Sequence, residues 1–260
     1  MDNPPFEPDD LAVPPLAGPA FLELLHAQRR EKYSSPPPFH EALLSGTLAR
    51  EMLQLWVKNL YSYYDRGLVF STGAIFAKTA NSEKVRPFVL RKLVALEGKV
   101  VVNDLNGATT PAYEELWLRF GEGLGLTREE IAAWKPFTRS HYATSTLSVL
   151  SRWWEWSWLD GIASFYAADL LADELMGRIR DALHRHYAVE DKHLEFFANY
   201  AQDAVEDLRW EADILAYWAC TTERQLTAAR AFRNRLDIEY QLVYPLHVAA
   251  SSGRMLLQVP

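Results

Sequence analysis

The segment RHYAVEDKHLEFFANYAQDAVED, which runs from Arg185 to Asp207, carries the most information about the fold of this chain. Within it, His186, Glu190 and His193 have a His-x-x-x-(Asp/Glu)-x-x-His spacing, which would place all three side chains on one face of a continuous helix. Glu190 and the aspartate after it also have the character of an acidic first turn, because carboxylates stabilise the positive end of a helix. The spacing alone therefore leaves both a metal site and a junction between two helices open.

Helical periodicity extends outward from this segment in both directions. Between residues 47 and 63, apolar residues recur every three or four positions and give one wide apolar face. The same reasoning predicts further helices over residues 19–32, 82–101, 111–123, 136–156, 158–186, 190–208 and 222–250. Period-two alternation is absent from the sequence, and so is an Asn-Gly hairpin between apolar strands. The sequence thus predicts an all-α single domain over residues 19–260, a bundle with a central cavity, preceded by a proline-rich arm at residues 1–18.

Composition limits the functional class. Apolar residues make up 49% of the 260 residues and charged residues 23%, which is typical of a soluble globular protein. The net charge of −7 argues against a nucleic-acid partner, and no apolar run approaches the roughly 20 residues of a membrane span. The acidic, proline-rich start has no signal-peptide character. Cys220 is the only cysteine, which excludes an intrachain disulfide and fits a cytoplasmic location.

Four further stretches, in order and at near-constant spacing, carry a family resemblance. They are PFHEALLSG (Pro38–Gly46), LWVKNLYSYYD (Leu55–Asp65), YEELWLRFGEGLGLTREEI (Tyr113–Ile131) and RLDI (Arg235–Ile238). With the segment quoted first, they make the chain resemble pyrroloquinoline-quinone synthase over roughly residues 20–250. The resemblance implies a single haem-oxygenase-like helical bundle, a small-molecule ligand in its central cavity, and a homodimer.

The resemblance also shows what has changed in the pocket. The synthase binds a polyanionic precursor through His and Arg side chains and oxidises it with O2 and no metal. The matching positions of this chain are Ser34, Tyr61, Tyr64, Asp65, Lys92, Leu96, Met176 and Arg235. Of these, Tyr64, Lys92 and Arg235 keep comparable chemistry. Each lost cation removes about 1.5–3 kcal/mol of charge-assisted hydrogen bonding, so we expect the polyanion not to bind.

Non-haem di-iron oxidases and oxygenases share this fold, and the chain resembles them as well. They need carboxylates and imidazoles converging from several helices. Their ligand positions correspond here to Glu97, Tyr113, Asp169, Tyr200, Ala204 and Asp207. These side chains offer oxygen atoms as metal ligands, and none of them offers an imidazole nitrogen. The resemblance therefore implies that Glu97, Asp169 and Asp207 hold Fe(II) or Mn(II), or that they are ordinary polar residues left from a lost site.

Three functional hypotheses follow from the resemblance. The first is an O2-dependent oxidase or oxygenase of a small, largely apolar or aromatic metabolite, either cofactor-free or with the carboxylate metal site. In the cofactor-free form Tyr64 and Tyr200 donate or accept protons, Asp65 or Asp169 is a base, and Arg235 remains as a pocket cation. The second is a non-catalytic member that binds a ligand or a protein partner. The third is thiamin salvage as in thiaminase II, whose cysteine position is not matched by the single cysteine here.

The placement of five side chains distinguishes the first two hypotheses. Convergence of Asp65, Glu97, Asp169, Tyr200 and Asp207 on one cavity, without basic partners, favours the enzyme. Ion-paired or surface positions favour the binding protein.

Overall fold

Long helices make up most of the structure, a computed structural model that describes residues 14–100 and 109–252. In chain order they are α1 (Gly18–Lys32), α2 (Pro38–Leu44), α3 (Arg50–Ser62), α4 (Leu68–Lys78), α5 (Arg86–Glu97), α6 (Tyr113–Gly123), α7 (Arg128–Ala132), α8 (Thr138–Arg152), α9 (Trp158–Tyr187), α10 (Glu195–Trp218) and α11 (Thr222–Ser252). A π-helical segment spans Tyr63–Gly67, and a 3-10 turn spans Asp191–His193. Two-residue strands β1 (Lys99–Val100) and β2 (Thr109–Thr110) pair antiparallel. The all-α prediction is confirmed, and this short ribbon is an addition to it.

Helix α9 begins and ends with well-defined caps. At its start Ser157 and Asp160 form a capping box, in which each side chain accepts a hydrogen bond from the other residue's backbone N–H. At its end Ala188 adopts a left-handed conformation with φ of 53°. His186 therefore belongs to the last turn of α9, whereas His193 lies in the separate 3-10 turn. The interpretation as a helix junction is confirmed, and the three-residue metal site on one continuous helix is wrong.

Two helices differ from their predicted bounds for local reasons. Helix α5 begins at Arg86 instead of Ser82, because Pro87 in its first turn has no backbone N–H with which to continue a helix that started earlier. Its last residue is Glu97, because the next residue, Gly98, has a φ of 85°, which is outside the helical region. Helix α10 starts later than predicted and continues to Trp218, because buried Ile214 and Leu215 extend its apolar face.

The core consists of two apolar clusters, both of which include residues of α9 and α11. The first is dominated by aromatic rings, among them Trp56, Trp117, Phe196 and Phe197. The second contains Phe165 and its neighbours. Helix α9 packs chiefly against α10 and α11. Members of both clusters line the same interior cavity, so the polar groups described below lie where the two clusters meet.

The π-helical segment joins α3 to α4 and sits against α8. A Cβ atom at Gly67 would lie 2.6 Å from the Cγ2 atom of Thr144, so glycine permits the close approach of α8 at this point. Single π-helical turns within α-helices are frequent at functional sites, because they change the direction of side chains locally. Here the turn contributes the buried tyrosines Tyr63 and Tyr64.

The end of the predicted N-terminal arm is attached to the bundle. The backbone N–H of Leu16 donates to Oε1 of Gln225 at 2.9 Å, and Nε2 of Gln225 donates to the carbonyl of Leu16 at 2.8 Å. Residues 1–13 of the arm lie outside the described residues. In the described ranges, none of the helices combines the length and apolar character that crossing a bilayer requires.

Candidate active site in the bundle interior

The ammonium group of Lys92 on α5 is surrounded by three carboxyl groups. Its Nζ atom lies 2.7 Å from Oδ2 of Asp207 and 3.1 Å from Oε1 of Glu211, both on α10, and also contacts Oδ2 of Asp169 on α9. Asp207 and Glu211 are four residues apart and so share one face of α10. Lys92 is 12% exposed and Glu211 0%. We call these four residues the lysine cage.

Charges in the lysine cage are balanced. Burial alone would lower the pKa of Lys92, but Asp169 and, after it, Glu211 outweigh burial and raise the pKa, so the amine is protonated. Burial, reinforced by Asp169, raises the pKa of the Glu211 carboxyl well above its usual range. Arg91 pairs with the second oxygen of Asp207. Two cations, Lys92 and Arg91, thus face the three carboxyl groups of the cage.

The proton on Glu211 makes stability depend on pH. The folded protein keeps this proton above the ordinary glutamate pKa of 4.5, whereas the unfolded chain releases it there. The stability that the proton provides is therefore complete below pH 4.5 and is lost as the pH rises through the raised pKa. We expect the ratio of the unfolding equilibrium constants, wild type divided by Glu211→Gln, to rise with pH by at most about tenfold per pH unit.

Urea unfolding of both proteins at several pH values measures this ratio. Asp213→Asn, an exposed position on the same helix, is the matched control and should show no such trend. A ratio for Glu211→Gln that is flat with pH would show that Glu211 is ionised in the folded protein.

A second buried polar group lies on α11. The guanidinium of Arg235, 2% exposed, donates from Nε to Oε1 of Glu239 at 2.8 Å and from Nη2 to the hydroxyl of Tyr63 at 2.6 Å. The Tyr63 hydroxyl in turn donates to Oε1 of Glu239 at 2.7 Å. Burial opposes the charge of Arg235, but Tyr63 and Glu239 outweigh it and raise the pKa. Arg235 is therefore a cation whose charge is already neutralised within the protein.

Two cavities lie beside these groups and have Ala168 and Tyr200 in common. The first, with about 50 Å³ of space open to water, is lined by Lys92, Asp169, Asp207, Arg235, Tyr113 and Tyr200 among polar residues. The second, with about 60 Å³, is lined mainly by apolar side chains and contains Tyr64. Each holds a few water molecules at most, since one water needs about 10–15 Å³ on this scale. A ligand larger than a few water molecules does not fit in either cavity alone.

The cavity tyrosines are neutral hydrogen-bonding groups. Burial and the carboxylate of Asp169 hold the pKa of Tyr200 well above its usual range. Burial likewise raises the pKa of Tyr64, whose ring packs 4.5 Å from that of Trp117 between centroids. The hydroxyl of Tyr113 donates to Oδ2 of Asp203 at 2.7 Å. The cavities therefore offer hydroxyl groups and apolar surface, with the charges paired at the wall.

Of the seven side chains given a catalytic or metal-binding role from the sequence, five reach this region and two do not. Tyr64, Asp169, Tyr200, Asp207 and Arg235 line one or both cavities. Asp65 is instead paired with its neighbour Arg66 at 2.8 Å near the surface. Glu97 lies exposed at the end of α5. The set Glu97, Asp169 and Asp207 is thus not assembled in this structure.

Comparison with known proteins places the bundle in a family. The model of the TENA/THI-4/PQQC family matches residues 26–241, which is most of the chain. The chain belongs to the TENA/THI-4/PQQC family. Pyrroloquinoline-quinone synthases of Acinetobacter baumannii (strain ACICU) and Pseudomonas aeruginosa (strain LESB58) are 26% and 27% identical to it over 216 and 217 residues. In both cases the match covers 82% of this chain and 80% of the relative.

Solved structures agree on the fold of this TENA/THI-4/PQQC protein. A TenA homolog from Pseudomonas syringae pv. tomato str. DC3000 superposes with a TM-score of 0.68 at 13% identity, covering 95% of this chain and 97% of that one. A domain with a heme oxygenase-like fold from Shewanella denitrificans OS217 gives 0.64 at 13% identity, covering 92% and 96%. The prediction of a haem-oxygenase-like helical bundle is confirmed.

The residues of this family member do not fit a resident metal ion. The position at which a cation would meet Asp169, Asp207 and Glu211 is taken by the Lys92 ammonium group. Transition metals favour imidazole as well as carboxylate ligands, and no imidazole lines this cavity among the described residues. No group of three or more His, Cys, Asp or Glu side chains within residues 14–100 and 109–252 has the arrangement of a metal site.

The sequence interpretation missed two parts of the site. It kept Lys92 as a pocket cation but did not pair it with carboxylates, and it overlooked Glu211 and Glu239 altogether. A signal was available, since Asp207 and Glu211, like Arg235 and Glu239, are spaced four residues apart on one helix. Cys220, considered for thiamin salvage, is exposed and does not line either cavity.

Proposed function

We propose that this TENA/THI-4/PQQC protein is a cofactor-free, O2-dependent oxidase or oxygenase of a small, largely apolar or aromatic metabolite. One observation supports this most: the cavity wall combines apolar surface with Lys92 and Tyr200, two buried ionisable groups whose pKa values are displaced. Such combinations are typical of active sites, because catalysis needs acids and bases matched to the reaction.

The charge distribution supports a neutral substrate. Lys92 is paired with the carboxyl groups of its cage, and Arg235 is paired with Glu239, so neither cation is free to bind an anionic ligand. A polyanion would also face Asp169, Asp203 and Asp207 across the cavity. Desolvating like charges together is unfavourable, so a precursor such as that of pyrroloquinoline-quinone synthase fits this cavity poorly.

In the oxidase form of the reaction, the substrate loses two electrons and two protons, and O2 takes up both to give H2O2. Asp169 lines the cavity and accepts a substrate proton. The adjacent Lys92 ammonium stabilises the negative charge that this leaves on the substrate. Tyr200 holds the substrate by its hydroxyl group at the boundary between the cavities. Arg235 donates a hydrogen bond to Tyr63 and so holds the Tyr63 ring beside Tyr64.

A second candidate is a ligand-binding protein without catalysis, and the placement of four of the five side chains that distinguish the two hypotheses favours it. Asp65 and Glu97 lie away from the cavities, and Asp169 and Asp207 are ion-paired with Lys92. This is the arrangement expected if the fold and cavity persist after the ligands of an ancestral site have been lost. Under this candidate the bound molecule is released unchanged.

The test begins with the molecule that the protein carries. Protein purified under argon is denatured with acid, and released small molecules are identified by mass spectrometry. O2 uptake and H2O2 formation are then measured with that molecule or, if none is found, with catechol and hydroquinone as probes. We expect turnover in the wild type and at least a hundredfold loss in Asp169→Asn, on the order of the 10²–10⁴-fold that general base catalysis supplies.

Asp173→Asn, an exposed position on the same helix, is the matched control and should retain the wild-type rate. Binding of the co-purified molecule without O2 uptake would favour the second candidate. Release of thiamin fragments from thiamin would instead favour salvage. The homodimer and the cytoplasmic location stay predictions, and sedimentation equilibrium tests the first of them.

A further inference from the structure

An open groove runs along the outside of the bundle between α4 and α8. Phe70 and Val149, two of its large apolar side chains, are 53% and 56% exposed. Trp153 and the still more exposed Trp154 line it just beyond the end of α8. Contiguous exposed apolar surface of this kind is typical of interaction sites. We call it the α4–α8 groove.

The α4–α8 groove is positively charged, although the chain as a whole is acidic. Arg66 and Arg152 line it, and the described part of the chain contributes no acidic side chain to its wall. Arg66 is paired with its neighbour Asp65. The Cζ atom of Arg152 lies 5.9 Å from the ring centroid of Phe70, and its guanidinium has no carboxylate partner among the described residues. The groove therefore offers apolar rings and an unneutralised cation to a binding partner.

This charge argues against a second copy of the same face as the occupant. In a two-fold symmetric contact the same patch lies on both sides of the interface, so the arginines of one copy would face those of the other. Helix α8 itself has two arginines and neither aspartate nor glutamate to compensate them. Like charges placed opposite each other oppose association. An acidic occupant fits the groove instead.

The chain itself contains an acidic segment of suitable composition. Residues 1–13, MDNPPFEPDDLAV, have four acidic side chains and neither lysine nor arginine. They also include three prolines and the apolar residues Phe6 and Leu11. Proline-rich segments bind to grooves lined by aromatic side chains, because their extended backbone loses little conformational entropy on binding.

The point at which this segment joins the bundle is defined by a chain of contacts. Leu16 is held by Gln225, whose Nε2 atom also donates to the carbonyl of Ala219 at 2.9 Å. The ring of the adjacent Trp218 packs 5.5 Å from that of Trp158 between centroids. Trp158 is the first residue of α9. The segment therefore enters the bundle at the end where α9 begins.

The α4–α8 groove reaches the same end of the bundle. Nζ of Lys78, the last residue of α4, donates to the carbonyls of Trp153 and Trp156 at 2.8 and 2.7 Å, in the connection between α8 and α9. Thirteen extended residues span about 40 Å at 3.1 Å per residue. Helix α8, with 15 residues, is only about 22 Å long. The segment is thus long enough to follow the groove along the whole of α8.

We propose that residues 1–13 dock along the α4–α8 groove of their own chain. Their acidic side chains meet Arg152 and Arg66, and their apolar side chains pack on Phe70 and Val149. Docking removes this apolar surface from water, which is favourable. Trp154 lies at the exposed rim and adds little, because contacts at the rim of an interface are close to energetically neutral.

The experiment compares the whole wild-type chain with a whole chain that carries Asp2→Asn, Glu7→Gln, Asp9→Asn and Asp10→Asn. Hydroxyl radicals label exposed rings, and mass spectrometry measures the labelling rate of Phe70. A short tether gives a millimolar effective concentration, so a Kd of about 0.1 mM for the free segment would protect Phe70 about tenfold. We expect the amide variant to lose this protection. Trp210, exposed on α10 and not part of the groove, should be labelled equally in both proteins.

Substitutions in the groove test the same contact from the other side. Arg152→Glu in the whole chain should raise the labelling of Phe70 as the amide variant does. Arg178→Glu, at an exposed position on α9, is the matched control and should leave it unchanged. Protection should return when Arg152→Glu is combined with Asp9→Lys and Asp10→Lys, because the charges are then exchanged. A purely structural effect of Arg152→Glu would not be reversed in this way.

A synthetic peptide of residues 1–13 measures the affinity directly. Calorimetry should show binding to the amide variant with a Kd of about 0.1 mM, weaker binding at higher salt, and about tenfold weaker binding to the wild type, whose own segment competes. Circular dichroism checks that each variant is folded. The segment substitutions alter no contact of the described bundle, so they test the proposal even if Arg152→Glu fails to fold.

Three results would overturn the proposal. The first is equal labelling of Phe70 in the wild type and the amide variant. The second is protection of Phe70 that rises with protein concentration, which would assign the groove to another copy of the chain. The third is binding of the amide variant to phosphatidylserine vesicles without binding of the peptide, which would assign the groove to a membrane surface. None of these measurements involves O2 or a substrate, so they are independent of the proposed catalytic function.

Discussion

Replacing Lys92 by methionine should lower the free energy of unfolding by about 3–5 kcal/mol, which is the usual cost of removing one partner of a buried ion pair. Methionine fills much of the space of the lysine stem, so the loss comes from charge and not from packing. Asp169 and Asp207 would remain buried without the ammonium group, with Arg91 still paired to Asp207. Urea denaturation at pH 7, followed by circular dichroism, measures the change.

Two further variants make this prediction specific. Lys84→Met removes an exposed lysine and should change stability by less than about 0.5 kcal/mol. Combining Lys92→Met with Asp169→Asn, Asp207→Asn and Glu211→Gln should recover most of the loss, because neutral side chains no longer need a counter-ion. If Lys92→Met lowers the free energy of unfolding no more than Lys84→Met does, then water and not the amine compensates the carboxyl groups.

Replacing Trp117 by alanine should cost about 3–5 kcal/mol, because it removes a large, completely buried side chain and leaves a cavity. The indole packs against Tyr64, Phe120 and Phe196 with centroid distances of 4.5, 5.4 and 4.9 Å. It also donates from Nε1 to the carbonyl of Val57 at 3.0 Å. The same measurement of urea unfolding applies.

The chain provides a matched control in Trp154, which is 83% exposed. Trp154→Ala should change stability by less than about 0.5 kcal/mol. The substitution at Trp117 should also weaken binding of whatever molecule co-purifies with the protein, because Tyr64 loses the ring that holds it at the cavity wall. Equal stability losses at both tryptophans would contradict the assignment of Trp117 to the core.

The fold could be predicted from the sequence because it depends on features that repeat. Apolar residues at three- and four-residue intervals identified the helices. Helix ends were less accurate. The start of α5 depends on Pro87, which cannot donate a backbone hydrogen bond, and apolar spacing does not report this local effect.

The site could be predicted only in part, and the physical reasons differ between residues. Asp169, Tyr200, Asp207 and Arg235 lie on regular helices, so their positions followed from helical periodicity and the family resemblance. Asp65 lies in the π-helical turn, where the usual rotation per residue no longer applies, and it pairs with Arg66 instead. The pairing of Lys92 with α9 and α10 depends on contacts between distant segments, which periodicity does not report.

Ala168 gives the bundle a simple route to new ligand preferences during evolution. It is the small residue that, with Tyr200, borders both cavities, and it lies one position before Asp169 on α9. A larger side chain there would reduce the space of both cavities, and glycine would enlarge it. Because neither change alters a charged group, the size of the preferred molecule can diverge among descendants of this protein while the electrostatics of the interior stay the same.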